Sequence, residues 1–144
     1  MRRVLLTAAS VFALTGISWS GEGVSPRVHV DQVGYLPDAP KVAVVAAPAT
    51  VGDFTVRRVA DGRVVLRGRL SPTRYDAASG DTTRLADFSP LNARGEYYVE
   101  VAGLGRSYSF QIAPDVYART FYLAMRAFYG QRCGTAVDLG PDLP

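Results

Sequence analysis

Asp76, Asp81 and Asp87 stand close together in the sequence, around Tyr75 and the pair Ser79-Gly80. Two carboxylates held about 5 to 10 Å apart can share acid and base work across a glycosidic bond, so this cluster is the first place to look for chemistry. Aspartates beside Ser and Gly in a polar loop also make local turn hydrogen bonds. That is the stronger reading here, with a bound cation as the other use of such a cluster. The single histidine, His29, falls at an outward strand position and is expected to be solvated. The chain by itself therefore builds neither a histidine triad nor a multi-histidine metal site. Tyr75 is a lone loop aromatic and Trp19 belongs to the leader described below, so no row of rings is available to stack on a sugar. No phosphate-cradling glycine loop, P-loop or nucleophile elbow occurs. The residues support no catalytic, cofactor-binding or metal-ligating assignment.

The chain has 144 residues, 48% of them hydrophobic, 20% charged and 10% aromatic, which excludes a disordered chain. Met1-Arg2-Arg3, the apolar run Val4 to Ile17 and the small residues around Ser18-Trp19-Ser20 read as a signal peptide, with cleavage after Ser20. The apolar run is shorter than the roughly 20 residues a membrane-spanning helix needs, so no stable membrane anchor is expected. With Arg2 and Arg3 removed, fourteen basic residues face thirteen acidic ones. Fifteen of the sixteen basic residues are arginines scattered along the chain, the other being Lys41, which is no nucleic-acid footprint. The lone Cys133 brings no internal disulfide to the exported domain.

From Arg27 the sequence alternates in strand rhythm through Val28, Val30 and Val33, and turns at Gly34 to Pro40. Lys41 to Ala47 reads as a strand buried on both faces. Phe54 to Val59 and Arg63 to Leu70 form a hairpin through Asp61-Gly62, with Val56, Val64 and Leu66 facing the core. Ser71 to Thr83 reads as a long loop and Leu85 to Phe88 as a short strand. Leu91 to Tyr97 has the spacing of a tyrosine corner, in which a hydroxyl returns to backbone just upstream and fixes a Greek-key crossing. Tyr97, Val99 and Val101, then Tyr108, Phe110 and Ile112, supply a closing hairpin. These elements predict an all-β, immunoglobulin-like antiparallel sandwich over 21–113. The period then changes. Tyr117, Phe121, Ala124, Met125 and Phe128 recur at helical spacing, with Asp115 as the expected cap and Gly130 as the stop. Gln131 to Pro144 has no periodicity, and the chain reads as interrupted there, with 114–144 as a linker and a first helix that lacks its partner surface.

Several segments together resemble one family. They are Val28-His29-Val30-Asp31-Gln32-Val33-Gly34-Tyr35-Leu36-Pro37 with Lys41-Val42-Ala43, Ala86-Asp87-Phe88-Ser89, and Gly95-Glu96-Tyr97-Tyr98-Val99. Ser107-Tyr108-Ser109-Phe110-Gln111-Ile112 and Phe128-Tyr129-Gly130-Gln131-Arg132-Cys133-Gly134 complete the set. The chain is similar there to the amino-terminal immunoglobulin-like domain of glycoside hydrolase family nine cellulases. The resemblance implies that the helix begins an (α/α)6 barrel, the missing catalytic partner, reached through Tyr117, Phe121, Met125 and Phe128. It implies inverting hydrolysis of β-1,4-glucan by an aspartate pair and a distant glutamate, all in that barrel and none on this chain. Some relatives hold a structural zinc at this junction, in which a cysteine placed like Cys133 joins a Cys-His pair. That pair is absent here, so no cofactor is assigned.

The function expected is that of a non-catalytic support domain of a secreted cellulase, inactive by itself. The alternative is a free-standing immunoglobulin-like carbohydrate-binding or adhesion module, with β-glucan as its partner. Hydrolysis by Asp76 and Asp81 alone is the weakest reading, because the sequence supports neither a cleft nor a carboxylic acid of raised pKa. Export through a secretory pathway should leave a chain beginning at Gly21. Mass spectrometry of the secreted product checks this, and an intact Met1 terminus would refute the leader.

Overall fold

The computed structural model describes residues 23–48, 50–134, 136 and 140, so the expected signal peptide lies outside the described residues. Among the described residues nine strands precede one helix: β1 Val28–His29, β2 Val42–Ala46, β3 Asp53–Arg58, β4 Val64–Arg69 and β5 Arg74–Tyr75, then β6 Thr82–Asp87, β7 Gly95–Val101, β8 Gly105–Arg106, β9 Phe110–Ile112 and α1 Ala118–Gly130. One sheet runs β1-β2-β6-β5 and the other β4-β3-β7-β8, with β9 also paired to β7. Every strand pair is antiparallel. Because β8 meets Glu100 and Val101 while β9 meets Gly95 to Tyr97, the two act as one broken strand along a single edge of β7. The sandwich is immunoglobulin-like, as the alternation predicts.

Period-two alternation places the core. Ala43 and Val45 from β2, Val56 from β3, Ala86 from β6, Val99 and Val101 from β7, and Ile112 from β9 are fully buried between the sheets. The tyrosine corner forms as expected: the Tyr97 hydroxyl lies 3.1 Å from the Ala93 carbonyl and 3.4 Å from that of Arg94. Gly95, at φ +155, lets the chain pass that ring, since a β-carbon there would lie 3.0 Å from the hydroxyl.

Several details depart from the sequence reading. β1 stops at His29, because Asp31 bends the chain by accepting the Val33 amide on Oδ1 at 2.9 Å. β2 is buried on one face only, and Val44 points outward at 38% exposure. In the β3–β4 hairpin the register shifts between Val56 and Arg57, leaving Val65 unpaired, and Val65 and Leu66 pack on the core where Val64 was expected. The polar stretch 71–83 contains β5, which pairs with a β6 that starts at Thr82. Tyr108 is exposed while Ser107 turns inward, its hydroxyl accepting the Val99 amide at 3.0 Å and donating to the Tyr108 carbonyl at 2.7 Å. α1 starts at Ala118, and Asp115 does not cap it through its side chain.

Two cations that the sequence reading placed in no site lie inside. Lys41 is fully buried, and its ammonium donates to the carbonyls of Pro37 at 2.5 Å and Ala39 at 2.8 Å, so the turn Leu36 to Ala39 wraps around a charge. Arg84 donates to the carbonyls of Val51, Leu70 at 3.2 Å and Ser71 at 2.6 Å, tying two loops to β6.

Burial holds the Tyr35 phenol above the ordinary tyrosine range, and its hydroxyl donates to the Val42 carbonyl at 3.0 Å. A raised folded pKa means that the stability Tyr35 contributes is present below pH about 10 and lost as pH climbs through the folded value. Burial pulls Lys41 the other way, so it opposes this trend near the same pH. Tyr35→Phe should therefore flatten the alkaline loss of stability measured by denaturant titration between pH 9 and 12, and an unchanged alkaline limb would refute the assignment. Tyr97→Phe should lower the stability of the sandwich by about 1 kcal/mol, read as a shift in the same titration at neutral pH.

Candidate domain interface

The carboxylate cluster resolves into turn geometry. Asp76 Oδ1 accepts the Ala78 amide at 3.1 Å, Asp76 Oδ2 accepts the Ser79 hydroxyl at 3.0 Å, and the Asp76 amide donates to the Asp81 carbonyl at 2.9 Å. Asp87 leaves the group, at the far end of β6, with its Oδ1 accepting the Ser89 amide at 2.9 Å. The hydrogen bonds from Ser89, aided by the Lys41 charge, hold the Asp87 carboxyl below its usual range. A glycosidic general acid needs the opposite shift.

His29 is exposed, in cross-strand register with Val44, which in turn faces Leu85. Tyr75 projects from β5 at 67% exposure. On the outer face of the other sheet, a hollow of about 390 Å³ is lined by Asp53, Thr55, Arg57, Arg67 and Glu100, and Arg57 is ion-paired with Glu100 across it. Among the described residues no group of three or more His, Cys, Asp or Glu could hold a metal ion. Cys133 is exposed.

The unusual surface is α1. Its sequence has helical periodicity, yet none of its residues is buried. Phe121, Met125 and Phe128 are 66%, 51% and 68% exposed. Tyr122, Leu123 and Tyr129 add apolar surface beyond the expected stripe, and among the described helix residues the charges are Arg119 and Arg126. The Arg126 guanidinium donates to the Tyr122 hydroxyl at 2.9 Å and lies over its ring, 5.5 Å from the centroid.

Tyr117 differs from the rest of the stripe. Its hydroxyl lies 2.8 Å from the Gly34 carbonyl and 3.3 Å from Asp31 Oδ2, so it reaches back to the sandwich. Desolvation and the Asp31 charge raise its pKa. Sequence reasoning placed Tyr117 on the free apolar face and missed this second role. The 86-residue separation from Asp31 left no local signal.

The family model for the cellulase N-terminal ig-like domain matches residues 24–106. The chain is 36% identical over 112 residues to endoglucanase D of Acetivibrio thermocellus, covering 78% of this chain and 17% of that protein. It is 36% identical over 113 residues to endoglucanase C of Cellulomonas fimi, covering 78% of this chain and 10% of that protein. A solved metagenome-derived glycoside hydrolase family 9 endoglucanase superposes with TM-score 0.67 at 40% identity, over 77% of this chain and 22% of that one. The chain thus spans a small part of each relative, and the family model falls within the two-sheet sandwich. It belongs to the cellulase amino-terminal immunoglobulin-like domain family.

Proposed function

We propose that this chain is the non-catalytic support domain of a secreted cellulase acting on β-1,4-glucan, and that it docks to a catalytic barrel through α1. One observation carries the reading: a helix with no buried residue presents Phe121, Met125 and Phe128 to solvent beside a sandwich whose core is already closed. Large contiguous apolar surface of this kind marks an interaction site. The relatives, named endoglucanases, are several times longer than this chain and supply the expected partner. Secretion rests on the leader sequence Met1 to Ser20.

The chain alone should self-associate through α1. Sedimentation of the mature chain is expected to show concentration-dependent oligomers, with Phe121→Gln and Phe128→Gln together restoring the monomer. A monodisperse monomer at high concentration would refute the docking reading. Addition of the separately produced barrel of a family nine endoglucanase should compete with self-association and yield a stoichiometric complex.

The carbohydrate-binding alternative rests on the exposed Tyr75 ring. Pull-down on insoluble cellulose distinguishes the two. Retention that survives washing and is lost in Tyr75→Ala would favour a binding module, whereas the support reading expects the chain in the wash.

A further inference from the structure

We infer that Asp31, Gly34 and Tyr117 form a latch that sets the direction in which α1 leaves the sandwich. Packing cannot set that direction, because no residue of α1 is buried. Its attachment is the exit segment 113–117. The Ala113 amide donates to the Tyr35 carbonyl at 3.1 Å, and Tyr35 in turn donates its amide to the Gln111 carbonyl at 2.8 Å. The Gly34 turn is thereby clamped to the end of β9.

Gly34 makes the seat. At φ +120 it occupies backbone space that side-chain-bearing residues rarely adopt, and a β-carbon there would lie 2.4 Å from the Gln111 carbonyl oxygen and 2.5 Å from Val116 Cγ2. The first of these is backbone and cannot swing away. The exit segment thus presses against a surface that only glycine provides. The Tyr117 hydroxyl closes the latch on the Gly34 carbonyl at 2.8 Å, with Asp31 Oδ2 as a second acceptor at 3.3 Å. Asp31 is itself pinned, its Oδ1 by the Val33 amide and its own amide on the Tyr35 hydroxyl, both at 2.9 Å. The Tyr35 ring is anchored against Phe88 and Phe110. A continuous path of contacts therefore runs from the core to the residue that caps α1.

The lever is long. Thirteen residues of helix span about 20 Å, so a tilt of about 10° at Tyr117 carries the far end by about 3 Å. Holding the apolar face in one direction removes an ordering cost from docking. This use of the latch rests on the docking function proposed above, but its existence does not.

Single-molecule fluorescence transfer tests it at a dilution where helices of different molecules do not meet. Dyes are placed on the lone Cys133, just beyond α1, and on a Thr73→Cys substitution in an exposed loop of the sandwich. The unaltered pair should give one narrow distance population. Tyr117→Phe should raise the population of displaced helix about fivefold, the weight of one ordinary hydrogen bond. Asp31→Asn should do so less, because the Gly34 carbonyl remains. Gly34→Ala should shift the whole distribution, and if that variant fails to fold, Tyr117→Phe decides alone, since it keeps the ring. A Tyr117→Phe distribution unchanged in position and width overturns the latch. Broadening in a chain that neither self-associates nor binds a barrel would uphold the latch while refuting the docking reading.

Discussion

Three rings hold this molecule together. Tyr35, Phe88 and Phe110 meet pairwise with centroids 5.2 Å apart, Tyr35 standing edge-on to both partners. Each ring comes from a different part of the chain. Phe88 follows β6 of one sheet and Phe110 opens β9 of the other, while Tyr35 belongs to the turn between β1 and β2. The cluster bolts sheet to sheet and both to the turn. Tyr97, 6.4 Å from Phe110, joins the tyrosine corner to the same assembly. Because the Tyr35 hydroxyl accepts the Asp31 amide and donates to the Val42 carbonyl, the apolar knot also fixes the backbone of the turn that receives the exit segment.

The buried cations act on the loops as the rings act on the sheets. A charge inside a protein is tolerated where oxygen atoms replace its lost water. Lys41 finds those oxygens in the carbonyls of the Leu36 to Ala39 turn, and Arg84 finds them at Val51, Leu70 and Ser71. In both cases one side chain gathers carbonyls that lie outside the strands. These loops are ordered by hydrogen bonding to charge, so their polar composition does not make them surface ornament.

Local pattern made most of the architecture legible. Alternation marked β3, β7 and the inward Phe110 and Ile112, and the spacing of Leu91 to Tyr97 identified the corner before any coordinate. Reading aspartates beside Ser and Gly as turn-makers also placed Asp76 correctly. The errors arose where a distant contact overrode the local period. Ser107 is inward because its hydroxyl serves the Val99 amide, which pushes Tyr108 out. The bulge at Val65 is a property of the pairing and cannot be seen in either strand alone. Lys41 looked like the polar start of a strand, and its burial depends on carbonyls from a turn whose shape the sequence does not state. Of the candidate interface on α1, the apolar stripe was legible and the hydroxyl contact of Tyr117 with Gly34 and Asp31 was not.

The sandwich and the helix stand in different energetic positions. Among the described residues, every buried apolar side chain lies between Val28 and Ile112, so the core closes before α1 begins. A helix of thirteen residues is marginal in water without tertiary contacts, and α1 has neither a side-chain cap at its start nor an acidic residue in its first turn to favour it. Its link to the sandwich runs through the residues just before it, by the hydrogen bonds of Ala113 and Tyr117 and the contact of Val116 with Gly34. Such a helix gains stability mainly from whatever covers Phe121, Met125 and Phe128. The sandwich contributes a stable seat and a direction, and in the docking function proposed above the partner would contribute the burial.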